Sequence, residues 1–129
     1  MTASSGSTPG PRPDAAEVIK ARLRADLRLA MRARASLEVG VLRALIAAVD
    51  NAQAVPIGGG HQRYVVHTFG DASAEVPRLM LDVAQVERLL EGEIANRRMA
   101  AEQFDALARP ERAAELRAEA AVVARYAAL

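Results

Sequence analysis

Lys20, Arg24, Arg28 and Arg32 follow one another at strict steps of four. On a helix that spacing draws them into a continuous basic stripe about 18 Å long, and the chemistry open to such a stripe is electrostatic: a row of cations can follow the phosphates of a nucleic acid. Arg43, Arg97, Arg98 and Arg109 extend the patch if folding brings them to the same side. The plainer reading is a solvated face, paired in part with the acidic stripe Glu111, Glu115 and Glu119. A formal net charge of +1 gives no global attraction to nucleic acid or membrane, so any such contact has to be local.

Covalent chemistry finds little to work with. Acyl transfer needs a nucleophile, a base and an oxyanion site. The serines lie in the N-terminal stretch, at Ser36 and at Ser73, and none has a Gly-Ser-Ser context. The absence of cysteine removes thiol nucleophiles, thiolate metal sites and disulfides together. His61, His67 and Asp71 lie close in sequence, but no helix or cysteine fixes their geometry for a metal. Gly58-Gly59-Gly60 lacks the Gly-Lys-Ser/Thr that completes a phosphate loop and reads as a hinge. Glu87 with Glu91, and Glu115 with Glu119, have the spacing of solvated helix faces. No catalytic residue, cofactor or metal is expected, and an enzyme is not expected either.

The elements that must position the arginines are helical. The chain of 129 residues is 51% hydrophobic with only 3% aromatics, and alanine, the best helix former, dominates. Residues 1–13 are rich in Ser, Thr, Gly and Pro and read as a disordered tail. Asp14 caps a first helix with Glu17 at the capping-box spacing, and Ile19, Leu23, Leu27, Ala30 and Met31 form its apolar face. Ser36 caps a second, whose apolar face is Val41, Leu42, Leu45, Ile46, Val49 and Ala52. Asp82 caps a third, with Val83, Val86, Leu90, Ile94, Ala101, Phe104 and Ala108 on one stripe interrupted by Arg97. Pro110 opens a fourth, carrying Ala113, Leu116, Ala120, Val123 and Ala127.

The expected fold is therefore all-α: a four-helix bundle of two antiparallel hairpins, about 14–34 with 37–53 and 83–108 with 111–128. Folding at Arg109 sets Phe104 near Leu116, and Tyr126 near Leu90 and Ile94. Residues 54–81 form a long inserted loop, in which 63–69 has strand-like composition without a partner. The most apolar run, 39–49, is too short to span a bilayer, so a cytoplasmic protein without membrane contact is expected.

Both halves resemble the YqeY-like family, whose members are similar to the tail domain found in the bacterial glutamine-dependent tRNA amidotransferase. The matching residues are Leu23, Asp26-Leu27, Ala30-Met31, Ala33-Arg34, Leu42-Arg43, Ala47-Ala48 and Asn51 in the first half. In the second they are Arg98, Phe104, Arg109, Glu111, Ala118-Glu119 and Tyr126. Ala35 stands where the family usually has aspartate, Ala108 where it has glycine, and Ala127-Ala128 where it has Leu-Pro. Family members continue into a second, smaller helical domain, which is not expected here.

The resemblance implies a non-catalytic, tRNA-contacting accessory domain, and it would also attach a label of carbon–nitrogen ligase with glutamine as amido donor. The candidate nucleic-acid residues are Lys20, Arg24, Arg28, Arg32, Arg43, Arg97, Arg98 and Arg109. The competing expectation is a protein-interaction or dimerisation module, with Leu89, off the main apolar stripe, as the contact.

Overall fold

The computed structural model describes residues 14–54 and 78–127, and these are all-helical apart from one isolated antiparallel bridge between Ala54 and Arg78. The helices are α1 (Ala15–Ala33), α2 (Ser36–Gln53), α3 (Val83–Ala106) and α4 (Pro110–Ala127). Their limits lie within two residues of the expected ones. The tail 1–13, the triple glycine, His61, His67, Asp71, Ser73 and the strand-like run 63–69 lie outside the described residues.

Asp14 caps α1 by accepting from the Ala16 N–H at 3.0 Å, but Glu17 does not close the box. It turns instead to Lys20 and Gln53. The complete box is at α3, where Asp82 accepts from the Gln85 N–H at 2.7 Å and Gln85 accepts from the Asp82 N–H at 2.8 Å. Ser36 is no cap: it is already helical, and Ala35 precedes α2 without a side-chain bond.

Both short links close in the same way. The Ala35 N–H reaches the Ala30 carbonyl and the Arg34 N–H that of Met31, at 3.0 and 3.1 Å. The Arg109 N–H reaches the Phe104 carbonyl and the Ala108 N–H that of Asp105, at 2.8 and 3.0 Å. These are Schellman closures, and each needs a left-handed residue. Here Arg34 (φ 55°) and Ala108 (φ 56°) take the place usually filled by glycine.

The main core draws on all four helices. It contains Leu23, Leu42, Leu45, Val49, Leu90, Val123 and Tyr126, with Ile94 packed against it. A second, smaller cluster of Ala101, Ala113 and Leu116, with Phe104 against it, draws on α3 and α4 alone. These two helices thus run past the common core. With 24 residues α3 is about 36 Å long, and among the described residues the apolar cluster on its far half is shared with α4. Ion pairs bind that extension: Arg97 to Glu119 at 3.2 Å and Arg117 to Asp105 at 2.5 Å.

Four residues assigned to the apolar stripes or their edges sit differently: Ala108, placed on the α3 stripe, is exposed in the turn beyond that helix. Met31 is 48% exposed, and Val83, in the first turn of α3, is 65% exposed. Leu89, expected as a free contact, is half-buried and packs against the main core.

Candidate functional site

An i, i+4 row does not run parallel to the helix axis, since each step of four advances about 40° around it. Over Lys20, Arg24, Arg28 and Arg32 the row turns through about 120°, and it therefore cannot stay on one face. Lys20 falls on the edge of α1 that meets α2 and is 1% exposed, which corrects its placement on an exposed stripe. Arg24, Arg28 and Arg32 carry on around to the solvent side and are exposed. None of the three has a carboxylate within ion-pair distance among the described residues. Two of the three acids expected to neutralise them are engaged elsewhere: Glu119 with Arg97 and Arg112, and Glu115 with Arg112.

The other candidate cations separate. Arg43 on α2 approaches α1, with its Nη2 donating toward the Met31 Sδ at 4.0 Å. Arg97 is paired elsewhere. Its guanidinium does not reach out to solvent but is half-buried between Glu93 at 2.8 Å and Glu119 at 3.2 Å. Arg98 lies on the α3–α4 extension beside Glu102 and Arg117, and Arg109 sits in the turn between those helices beside Glu111 and Arg112. Arg24, Arg28 and Arg32 thus share the exposed side of α1 with Arg43 reaching α1 at Met31, whereas Lys20 and Arg97 are taken up in ion pairs and Arg98 and Arg109 lie on α3 and in the α3–α4 turn.

Lys20 belongs instead to a polar network that periodicity did not reveal. Its Nζ lies 2.8 Å from Asp50 Oδ1 and 3.1 Å from Glu17 Oε2. Burying an ammonium group is costly unless it is paired and hydrogen-bonded, and these two carboxylates do both. Gln53, also 1% exposed, donates from Nε2 to Glu17 Oε2 at 2.9 Å and to Asp14 Oδ2 at 3.4 Å. Its Oε1 is buried without a partner among the described residues. The Gln53 hydrogen bond, then that of Lys20, holds the Glu17 carboxyl below its ordinary range, and the Lys20 hydrogen bond does the same for Asp50. The only hints in the sequence were two i, i+3 polar pairs, Glu17/Lys20 and Asp50/Gln53, on helices expected to pack together.

At the other end of α1, the Tyr126 hydroxyl donates to Asp26 Oδ2 at 2.5 Å, and Arg125 pairs with Glu38 at 3.2 Å. Burial, then the neighbouring Asp26, raises the Tyr126 hydroxyl above the usual tyrosine range, so it remains a donor. Asp26 and Tyr126 are both among the residues that carry the family resemblance, which was the one signal linking positions a hundred apart.

Among the described residues no group of three or more His, Asp or Glu side chains could hold a metal ion, and no helix is long and apolar enough to cross a membrane. Comparison of the chain with protein-family models, curated proteins and solved structures returned no match.

Proposed function

We propose that this chain is a non-catalytic, cytoplasmic RNA-associated accessory domain that contacts tRNA through phosphates, using Arg24, Arg28, Arg32 and Arg43. The observation that carries this reading is the exposed row of α1 arginines without carboxylate partners among the described residues. Charged groups already neutralised by neighbours gain little from a phosphate, whereas free guanidiniums release the counterions that drive such binding. The resemblance to the YqeY-like family and to the amidotransferase tail points to the same partner. On this reading the four helices form a bundle of two antiparallel hairpins, with residues 54–81 inserted between them.

Fluorescence anisotropy with labelled tRNA at about 50 and about 200 mM salt, beside duplex DNA, tests the proposal. Micromolar or tighter binding is expected, with a preference for tRNA. Affinity should fall by more than about tenfold across that range and vanish when Arg24, Arg28 and Arg32 are changed to Ala. No binding at the lower salt rejects the reading.

A protein-interaction role is the second reading. Exposed Leu79, Met80 and Val83, at 40%, 70% and 65%, favour it, as they lie side by side where the chain enters α3. A polar substitution at Leu89 is no test of it, because that side chain packs on the core. Met80→Ser, which should weaken such an interaction and leave tRNA binding unchanged, is the test.

A further inference from the structure

Among the described residues, a connected group of polar side chains surrounds the point where the chain passes from α2 and returns toward α3. Ala54, just past α2, pairs with Arg78 in the isolated antiparallel bridge. Next to it the Leu79 N–H donates to the Gln53 carbonyl at 2.8 Å. The side chain of Gln53 reaches back to Glu17 and Asp14. Asp14 caps α1 and also accepts the Leu81 N–H, at 3.0 Å. Asp50, held by the buried Lys20, takes Arg78 at 3.5 Å as well. One connected set of polar groups thus ties together the start of α1, the end of α2 and residues 78–81, which lead into α3.

We infer that this network is a clasp. It holds positions 54 and 78 side by side and fixes the approach to α3 from within the helical unit. The four helices therefore keep their packing whatever chain joins Ala54 to Arg78. Two features separate a clasp from an ordinary surface ion-pair cluster. First, its two donors at the centre, Lys20 and Gln53, are each 1% exposed, so neither can replace its bonds with water without opening the packing, although Glu17 and Asp50 are half exposed. Second, among the described residues its members at 14–54 and 78–81 already bond one another across the joint, and the inference is that these bonds suffice to close it. Facing strands lie about 5 Å apart across such a bridge, a gap that a few residues span. The inference is independent of the tRNA reading.

The test is a four-protein thermal cycle on the full chain. It uses the parent, a version with residues 55–77 replaced by a short Gly-Ser linker, and Lys20→Met in each. The linker version is expected to keep the parent's helical circular dichroism and a Tm within about 3 °C of it, because the clasp closes through residues that the linker leaves in place. Lys20→Met, similar in length but uncharged, is expected to lower Tm by roughly 5–10 °C, and by the same amount in both backgrounds. Loss of cooperative melting in the linker version overturns the inference. So does a Lys20→Met effect that is absent from either background, since the clasp would then not be what closes the joint.

Discussion

Lys20 and Arg24 show how much a single helical step can change. They share a row and a charge sign, yet about 40° of rotation puts one in the core margin and the other in solvent. The same row thus supplies both a structural ion and a candidate phosphate contact. Tyr126 is the corresponding case among neutral groups. Its ring completes the main core and its hydroxyl is fixed to Asp26, across from another helix. Removing only the oxygen, as in Tyr126→Phe, should cost about 1.5 kcal/mol, since it deletes a hydrogen bond to a charged acceptor while leaving the packing intact. Chemical denaturation would show this as a lower midpoint with an unchanged slope. A midpoint equal to the parent's would mean that water replaces the hydroxyl at no loss.

At the scale of the element, the glycines and the left-handed residues are exchanged relative to what helix chemistry prefers. Gly92 lies inside α3, where an added Cβ would meet nothing within 4 Å, and Gly40 is equally open inside α2. Ala108, by contrast, holds the left-handed position of a Schellman closure at φ 56°, where a Cβ is unfavourable. Gly92→Ala should therefore stabilise the chain by about 0.5–1 kcal/mol, and Ala108→Gly by a similar amount. Since the two sites share no partner, the double variant should show the sum in calorimetry. A loss of stability in Gly92→Ala would reveal that something does pack against that face. The resemblance marked position 108 as a departure from glycine, and the backbone supplies the reason that glycine suits it.

At the scale of the whole molecule, the clasp sets an acid limit. The folded-state acidities of Glu17 and Asp50 are displaced downward, so their stabilisation is present above the ordinary carboxylate range. It is lost as the pH falls below the ordinary carboxylate range and through the lowered folded values. Melting across roughly pH 2–6 should show Tm falling most steeply at the acid end, and Lys20→Met should flatten that slope. An equally steep slope in the variant would place the acid sensitivity elsewhere. The sequence by itself determined the four helices, their limits to within two residues, the apolar faces and the Asp82 cap, because periodicity and capping are local properties of the chain. It also marked Lys20, Arg24, Arg28, Arg32, Arg43, Arg97, Arg98 and Arg109 as cations that could meet a phosphate. Tertiary structure alone decided which of those cations lack a carboxylate partner among the described residues. Helix rotation buries Lys20 against Asp50 and Glu17, and Glu93 and Glu119 neutralise Arg97. The physical reason is that a side chain's charge is fixed by its type, whereas its availability depends on what neighbouring helices bring within a few ångströms.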